Sequence, residues 1–357
     1  MTISGNEDPE LTTRLVRSIA QDLEFNLCGI APAVSPPGYH RLVEWINAGH
    51  AADMEWIPRR LSAYQSPEGI QPGTKSVISL AMNYHDGSSA AHDGSSTAVE
   101  NQLRVARYAQ GAADYHDVLR SRLKKLTTQL SLQCPESRNR IVVDTAPLLE
   151  REFAQLAGLG WFGKNTMLIN RRIGSWFVLG FILTTLELQY DRPSEHNFCG
   201  SCTRCLDACP TNAFPEPGVL DARKCISYWT IEARTQPVPE NLSEQFGGWI
   251  FGCDVCQEVC PWNRFAPHQA IPELQSQAAI TELGVLDWLS MTESEFQDRF
   301  RGTPLQRTGR TAMVRNVILA AGNLGLKNTI PALMTLRSDP SEQIQLAAEQ
   351  TLARLKM

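Results

Sequence analysis

The residues most able to do chemistry in this 357-residue chain are eight clustered cysteines. The first four follow the spacing Cys-x2-Cys-x2-Cys-x3-Cys-Pro of bacterial ferredoxins, in which three cysteines hold one 4Fe–4S cluster and the fourth reaches a second cluster. The partner motif is Cys253-x2-Cys256-x3-Cys260-Pro261, with Cys225 upstream. The crossed pattern predicts cluster 1 on Cys199, Cys202, Cys205 and Cys260, and cluster 2 on Cys209, Cys225, Cys253 and Cys256.

The expected compartment supports this interpretation. The start, MTISGNEDPE, is acidic and lacks the basic and apolar regions of a signal peptide, and the apolar stretch from Trp176 to Leu186 is too short to span a bilayer. We therefore expect a cytoplasmic protein with no membrane partner, in which clustered cysteines bind metal. Two structural zinc sites are the alternative, although zinc ribbons usually carry two separated CxxC pairs. Cys28 and Cys134 are expected to be small buried hydrophobic residues.

The apolar pattern predicts an α+β protein of several domains. Apolar residues make up 43% of the chain and charged residues 20%, which predicts packed cores rather than disorder. Residues 1–190 are interpreted as an α/β domain, residues 191–265 as a ferredoxin-like module with two clusters, and residues 266–357 as helices. The last region contains similar helices 30 residues apart, around Val314 and Ile344, which indicates HEAT-like stacking. The Gly- and Ser-rich segment Asp86–Glu100 predicts a mobile loop.

Short elements are predicted inside these regions. Strands are expected at Ser76–Met82, Arg140–Val143 and Trp176–Thr184, where apolar and β-branched residues follow one another. Helices are expected at Leu11–Leu23, His116–Leu132, Glu150–Leu156, Ala312–Leu324, Ile330–Leu336 and Ser341–Leu355.

Further motifs resemble the epoxyqueuosine reductase family, in order along the chain from about residue 10 to at least residue 320. They are Arg107-Tyr108-Ala109 with Asp114-Tyr115-His116, Val143-Asp144-Thr145-Ala146-Pro147, Gly158-Leu159-Gly160-Trp161-Phe162-Gly163-Lys164-Asn165, Cys225-Ile226-Ser227-Tyr228-Trp229 and Gly252-Cys253-Asp254-Val255-Cys256. The resemblance implies removal of the epoxide oxygen of epoxyqueuosine at the tRNA wobble position. It also implies cobalamin, in a domain similar to that of reductive dehalogenases, and a low-potential electron donor. A monomer is expected.

The resemblance assigns Asp144 as the proton donor, at the end of a predicted strand. The cofactor would do the difficult chemistry while the protein supplies position and a proton. A carboxyl kept protonated by an apolar, cofactor-covered pocket could donate to the leaving oxygen. A helix N-cap followed by Pro147 is the structural alternative for Asp144.

Other side chains are expected around the cofactor and the base. Tyr115 and Tyr228 are expected beside the substrate base, with Trp229 able to stack on it, and ordinary core aromatics are the alternative. Gly158, Gly160 and Gly163 lack the GxGxxG spacing and are interpreted as letting the backbone approach the corrin ring. No Asp-x-His-x-x-Gly pattern is present, so no histidine ligand to cobalt is expected. Cobalamin contacts are expected from Arg59, Arg60, Tyr108, Asp144, Lys164, Asn165, Leu168, Ser227 and Asp254.

A local basic segment is the candidate tRNA surface. The chain carries 33 Lys and Arg against 38 Asp and Glu, for a net charge of −5, so a nucleic-acid site must be local. Five arginines and no acid lie between residues 299 and 315, which suits phosphate contacts, and a solvated helix face is the alternative. These arginines are Arg299, Arg301, Arg307, Arg310 and Arg315.

Two other functions share parts of this pattern. The first is a reductive dehalogenase-like enzyme acting on a small substrate, for which the arginine-bearing tail has no use. The second is a non-enzymatic electron carrier, which would leave the GLGWFGK and VDTAP segments without a role. Cobalamin binding separates the carrier from both enzymes, and tRNA binding separates the two enzymes.

Overall fold

A computed structural model describes residues 8–87 and 103–356. The strands are β1 Leu27–Pro32, β2 Ser76–Asn83, β3 Arg104–Val105, β4 Asn139–Val142, β5 Trp161–Phe162, β6 Leu168–Ile169, β7 Phe177–Thr184 and β8 Trp249–Phe251. The helices are α1 Pro9–Asp22, α2 Tyr39–Asn47, α3 Tyr115–Gln133, α4 Glu150–Leu156, α5 Arg204–Asp207, α6 Ile226–Ile231, α7 Glu240–Ser243, α8 Val255–Glu258, α9 Ala278–Thr281, α10 Val285–Ser290, α11 Glu293–Arg299, α12 Gly309–Asn323, α13 Ile330–Leu336 and α14 Glu342–Lys356.

A four-stranded sheet of order β1-β2-β7-β4 organises the N-terminal part. Its strands β2 and β7 are buried on both faces because side chains alternate along a strand and each face meets helices. Ile78 and Leu80 of β2 pack in the core shared with α1 and α3, whereas Val77 and Ala81 pack in the core shared with α4. All pairings in this sheet are antiparallel, so the N-terminal part has the α+β arrangement rather than a parallel α/β one.

A second core joins the middle of the chain to its end. Strand β3 pairs with β8, and buried residues of α6 and β8 share one hydrophobic core with α10, α11, α12, α13 and α14. Trp229, Phe251 and Val317 belong to this core. The expected boundary at residue 265 therefore separates two segments whose apolar side chains are buried together.

The predicted elements are confirmed where the apolar pattern was regular. β2, β4 and β7 lie within one residue of their predicted bounds, and α3, α4, α12, α13 and α14 occupy the predicted helical segments. β1 was not predicted, since Cys28, Gly29 and Pro32 weaken its strand pattern. The predicted loop Asp86–Glu100 lies outside the described residues from residue 88 onward. Among the helices of the described part, none is long and apolar enough to cross a membrane.

Candidate active-site cleft and cluster module

The clustered thiols act on one another electrostatically, and the assignment of each cysteine to one of two clusters stays a prediction. The thiols that act electrostatically on Cys205 include Cys199, Cys202 and Cys260, and those that act on Cys256 include Cys225 and Cys209. Cys253 in turn interacts with Cys225 and Cys256. Cys256 also interacts electrostatically with Cys205, and helices α5 and α8, which carry these two cysteines, pack against each other. Within the described residues, no three His, Cys, Asp or Glu side chains form a group that could hold a single metal ion.

A buried tryptophan beside the first set supports a cluster there. Trp161 is 2% exposed and packs with Cys199 and Cys260. Its indole N–H has no acceptor among the described residues. A buried donor without a partner is costly, and the sulfur atoms of an iron–sulfur cluster would supply an acceptor at this place. The residues present therefore fit a cluster held by Cys199, Cys202, Cys205 and Cys260.

Two residues expected at cobalamin instead anchor the cluster module. The Lys164 ammonium donates to the carbonyl of Gly200, at 2.7 Å, between two cluster cysteines. The buried Asn165 amide donates to the carbonyl of Cys256, at 3.1 Å. Both side chains thus bond to the cysteine loops, and their contact with cobalamin stays a prediction.

Leu168 and the neighbouring glycines also serve packing rather than a cofactor. Leu168 is 3% exposed in the core below the sheet, which leaves it no surface for a ligand. A side chain at Gly160 would collide with the carbonyl of Ile169, and one at Gly163 would collide with Asn165 and Ile169. The space that a side chain would need at Gly160 and Gly163 is filled by the β5–β6 hairpin, and a corrin ring against this backbone stays a prediction.

Asp144 lies on a strained loop between β4 and α4. Its φ is +58°, a left-handed conformation that aspartate tolerates better than most residues. The Glu150 carboxyl fixes this loop from one side by accepting from the Asp144 N–H, at 2.6 Å. Arg60 fixes it from another by donating through both guanidinium nitrogens to the Thr145 carbonyl, at 3.0 Å. The Asp144 side chain remains 59% exposed, so it faces open space and does not cap α4.

His116 joins Asp144 to a second carboxylate. The His116 side chain is 5% exposed; its Nδ1 lies 2.6 Å from Asp114 Oδ1 and its Nε2 lies 3.1 Å from Asp144 Oδ2. Asp114 caps the N-terminus of α3, which places His116 in the first turn with both ring nitrogens facing carboxylates. Arg307 completes the group, donating from Nε to Asp114 Oδ2 at 2.8 Å, with its Nη1 3.4 Å from His116 Nε2.

This network changes the electrostatic setting expected for Asp144. The hydrogen bond to His116 lowers the pKa of Asp144, against the opposing effect of desolvation. Burial lowers the pKa of His116, but hydrogen bonds to Asp114 and Asp144 outweigh it and raise that pKa overall. Asp144 is therefore hydrogen-bonded to an imidazole, and its protonation beneath a bound cofactor stays a prediction.

The remaining cleft residues surround this group. Tyr115 stacks on His116 with ring centroids 3.9 Å apart, and Tyr108 meets Tyr115 edge-on at 5.7 Å. Burial raises the pKa of Glu150 to about 8. Glu232 and Arg151 also interact electrostatically with Asp144. Arg151 interacts in addition with Cys256. The second cysteine set is thus on the Asp144 side of the module.

Asp254 and Ser227 belong to the cluster module. Asp254 is 2% exposed and accepts from the Arg107 N–H, at 2.7 Å, and burial raises its pKa to about 7. Ser227 is half-buried, and its backbone N–H interacts with the Cys225 sulfur. Arg59 is exposed on the turn that carries Arg60.

Tyr228 and Trp229 are structural, and their assignment to base stacking is wrong. The Tyr228 hydroxyl accepts from the Asp53 N–H, at 3.2 Å, and from the Gln236 amide, at 3.0 Å. The Trp229 indole donates to the Arg223 carbonyl, at 2.7 Å. Both rings are at most 7% exposed, which leaves no face for a nucleobase.

The five candidate tRNA arginines separate into three groups. Arg315 is 2% exposed and donates to backbone carbonyls at the end of α6, so its assignment to phosphate is wrong. Arg310 is largely buried and bonds to Asp339 and to the Met291 carbonyl. Arg307 belongs to the Asp114 network. Arg299 and Arg301 are exposed, the latter paired with Asp298 at 2.8 Å.

The sequence reasoning missed three cleft residues: His116, Glu150 and Arg151. The available signal for His116 was its position two residues after Asp114, the N-cap residue of α3. Glu150 and Arg151 directly follow the loop of Asp144 and begin α4. Their proximity to Asp144 depends on the loop turning back, which the left-handed residue at 144 achieves.

The chain is similar in sequence to known proteins over nearly its whole length. Residues 65–145 match the family model described as "Epoxyqueuosine reductase QueG, DUF1730", and residues 198–263 match the "4Fe-4S double cluster binding domain". The epoxyqueuosine reductase of Xanthomonas campestris is 37% identical over 349 residues, which cover 96% of each chain.

Solved structures give the same relationship. A crystal structure of epoxyqueuosine reductase with an epoxyqueuosine-modified tRNA-Tyr stem loop is 28% identical, with a TM-score of 0.84 over 97% of this chain and 90% of that chain. The enzyme from Bacillus subtilis, described with its catalytic aspartate loop swung out of the active site, is 27% identical, with a TM-score of 0.85 over the same shares.

Proposed function

The chain belongs to the epoxyqueuosine reductase family, and on this premise we propose that it reduces epoxyqueuosine to queuosine in tRNA, with Asp144 and His116 delivering the proton. The Asp114–His116–Asp144 network carries the proposal, because it hydrogen-bonds an exposed carboxylate to an imidazole whose pKa is raised. The relative from Bacillus subtilis also has its catalytic aspartate on a movable loop. Asp144 occupies a comparable setting, on a loop between a strand and a helix.

The chain's residues fit the two cofactors that the family implies, to different degrees. Eight thiols in two sets, with an unpartnered indole N–H beside one set, fit two 4Fe–4S clusters. For cobalamin, Arg60 and Tyr108 are the candidates near the exposed Asp144. Arg59, exposed on the turn of Arg60, and Ser227, beside Cys225, stay predictions. Bound cobalamin would supply a reduced cobalt nucleophile, and the clusters would supply single electrons.

The proton is held between two atoms, His116 Nε2 and Asp144 Oδ2. A neutral imidazole has one N–H, yet both ring nitrogens of His116 face carboxylates. Asp114 holds the Nδ1 proton, so a second proton resides either on Nε2 or on the Asp144 carboxyl. Transfer along the 3.1 Å line makes Asp144 the acid that donates to the epoxide oxygen, and His116 then restores its proton from solvent. Asp114 orients the ring and stabilises the imidazolium.

Substrate binding is proposed for the side of the cleft bordered by the C-terminal helices. The helices after residue 266, which we propose to stack in a HEAT-like way, carry the exposed Arg299 and Arg301. These two cations suit phosphate contacts that position an RNA without reading its sequence. Tyr115 stacks on His116, the partner of the proposed proton donor, and we propose that a flipped base entering the cleft meets it.

The test uses the anaerobic, cluster-loaded enzyme with cobalamin, a chemical reductant and a stem loop bearing epoxyqueuosine. Mass spectrometry of digested nucleosides is expected to register loss of one oxygen only when cobalamin is present. Asp144→Asn should lower turnover by roughly 10²–10⁴-fold while both clusters are retained. Asp117→Asn is the matched control, since Asp117 is exposed in the first turn of α3, next to His116, and pairs with Arg120. Unchanged nucleosides with the cobalamin-loaded wild type would refute the function, and full activity of the Asp144→Asn variant would refute the proton donor.

A further inference from the structure

Basic residues are concentrated around the first cysteine set. The segments 161–175, 192–207 and 261–270 surround Cys199, Cys202, Cys205 and Cys260, and together they contain six Lys or Arg and two Asp or Glu. The whole chain, by contrast, carries a net charge of −5. The six cations are Lys164, Arg171, Arg172, Arg192, Arg204 and Arg264.

Exposed aromatic rings lie among these cations, directly beside the cluster 1 cysteines. Phe198 precedes Cys199 and is 39% exposed, and its ring meets Trp161 at 5.0 Å. The Arg171 guanidinium lies over the Phe198 ring, 4.8 Å from its centroid. Trp262 adjoins both Trp161 and Phe198. We call Arg171, Phe198, Trp262, Arg264 and Phe265 the aromatic–arginine patch.

The last two members of the patch are unusually open. Phe265 is 75% exposed, and the Arg264 guanidinium lies 4.5 Å from its ring centroid. In the described part of the chain, no carboxylate lies within ion-pair distance of Arg171 or Arg264. Large exposed aromatic residues flanked by uncompensated charge are typical of interaction sites rather than of an inert surface.

The patch lies at the outer end of the two-cluster module. Cys256 of the second set interacts with Arg151, which in turn interacts with Asp144, so the second set faces the cleft. Cys205 of the first set acts electrostatically on Cys256 of the second. The first set borders the buried Trp161 on one side and the exposed Gly200, Ser201 and Thr203 on another. An electron bound for the cleft therefore has its shortest entry from solvent at the first set, beside the patch.

We infer that the aromatic–arginine patch docks an acidic one-electron carrier protein that loads cluster 1. The inference rests on the proposed function, which requires two electrons for each epoxide oxygen removed. Each encounter oxidises the carrier by one electron and reduces cluster 1 by one. Two encounters, with two protons, balance the conversion of an epoxide to an alkene and water.

The patch chemistry favours a protein carrier over RNA. Arginine and exposed aromatic side chains are the residues enriched at protein interfaces, and opposite charge on the partner would accelerate its association. The cleft residue Asp144, which the modified base must reach, interacts with the second cysteine set through Arg151 rather than with the first. A carrier on the patch would thus leave the proposed RNA surface at Arg299 and Arg301 free.

The experiment measures reduction of the cluster-loaded enzyme by flavodoxin hydroquinone, an acidic one-electron donor, in an anaerobic stopped-flow instrument. The double variant Arg171→Glu with Arg264→Glu should lower the second-order rate constant for cluster bleaching about tenfold or more at low ionic strength. Bleaching of the wild type should slow as salt is added, and that of the variant should not. The control Arg14→Glu with Arg337→Glu makes the same change in net charge at exposed sites away from the patch.

Two further measurements separate the outcomes. Dithionite, which needs no docking site, should bleach both double variants and the wild type at equal rates. Phe265→Ser, at a position too exposed to affect folding, should raise the Kd for oxidised flavodoxin in calorimetry by about fivefold or more. Equal flavodoxin rates for the wild type and the Arg171/Arg264 double variant would overturn the docking site, as would a loss confined to stem-loop affinity. Failure of the dithionite-reduced wild type to remove the oxygen would overturn the proposed function instead.

Discussion

Replacement of Arg315 tests whether this arginine stabilises the fold or binds tRNA. Its guanidinium donates to the carbonyls of Ala233, Gln236 and Trp229, at 2.6, 3.0 and 2.8 Å. Trp229 lies in the last turn of α6, where helix carbonyls have no partners within the helix. Burial lowers the pKa of Arg315 to about 10, so the side chain remains charged near neutral pH. Arg315→Met keeps a long side chain and removes every donor.

The cost of this change follows from the groups it leaves unsatisfied. Two buried carbonyls and one part-buried carbonyl lose a charged donor, and each such group costs about 1–3 kcal/mol when it finds no substitute. With the part-buried Gln236 carbonyl reaching water, the other two cost about 2–6 kcal/mol. A loss of 1 kcal/mol shifts Tm by roughly 2–4 °C in a domain of 150–250 residues, so Tm should fall by roughly 4–24 °C.

Differential scanning calorimetry of the cluster-loaded protein measures this shift, and stem-loop binding is measured beside it below the transition. Arg299→Met is the matched control, because Arg299 is exposed at the end of α11. The control should leave Tm within about 1 °C and weaken stem-loop binding. An Arg315→Met variant with an unchanged Tm and a weakened affinity for the stem loop would refute the structural assignment.

Three further predictions concern the cleft and the cluster module. Hydrogen bonds raise the pKa of His116 despite burial, so wild-type kcat should fall as pH rises through that pKa. In the His116→Asn variant this fall in kcat should move to lower pH, toward the ordinary pKa range of a carboxyl. A pH profile of kcat measures both. Burial raises the pKa of Glu150 to about 8. The stability that protonated Glu150 contributes is therefore complete below the pKa of Glu150 in the unfolded chain and is lost as pH rises through 8. In the Glu150→Gln variant, Tm should depend less on pH over that range. Asn165→Ala removes the donor to the Cys256 carbonyl and should lower the iron retained per chain after gel filtration, while equal iron in variant and wild type would contradict that role.

The strongest local patterns gave reliable predictions. The cysteine spacing predicted a module with two 4Fe–4S clusters, and the family model matching residues 198–263 confirms it; turns of two or three residues impose nearly fixed directions on cysteine side chains. β2 and β7 were predicted because a strand covered on both faces needs an unbroken apolar run. β1 was missed because Gly29 meets the Ala157 carbonyl in a close approach that no local pattern reveals.

The basic segment shows why charge alone did not identify a binding surface. Arg299 and Arg315 are 16 positions apart and look equivalent in the sequence. The packing of α12 against α6 and β8 buries Arg315, whereas Arg299 ends an exposed helix. Arg307 donates a hydrogen bond to Asp114, 193 positions earlier in the chain, and this contact competes with phosphate binding.

The sequence by itself determined the types of chemistry available to this protein: thiols at ferredoxin spacing, a carboxylate after a strand and a set of motifs that belong to one family. Such features depend on short stretches of chain, whose geometry is nearly independent of the rest of the molecule. Only the tertiary structure decided which groups meet. Asp144, His116 and Arg307 come from a loop, a helix start and a distant turn. Folding brings carboxylates to both nitrogens of one buried ring, and no local spacing encodes that contact.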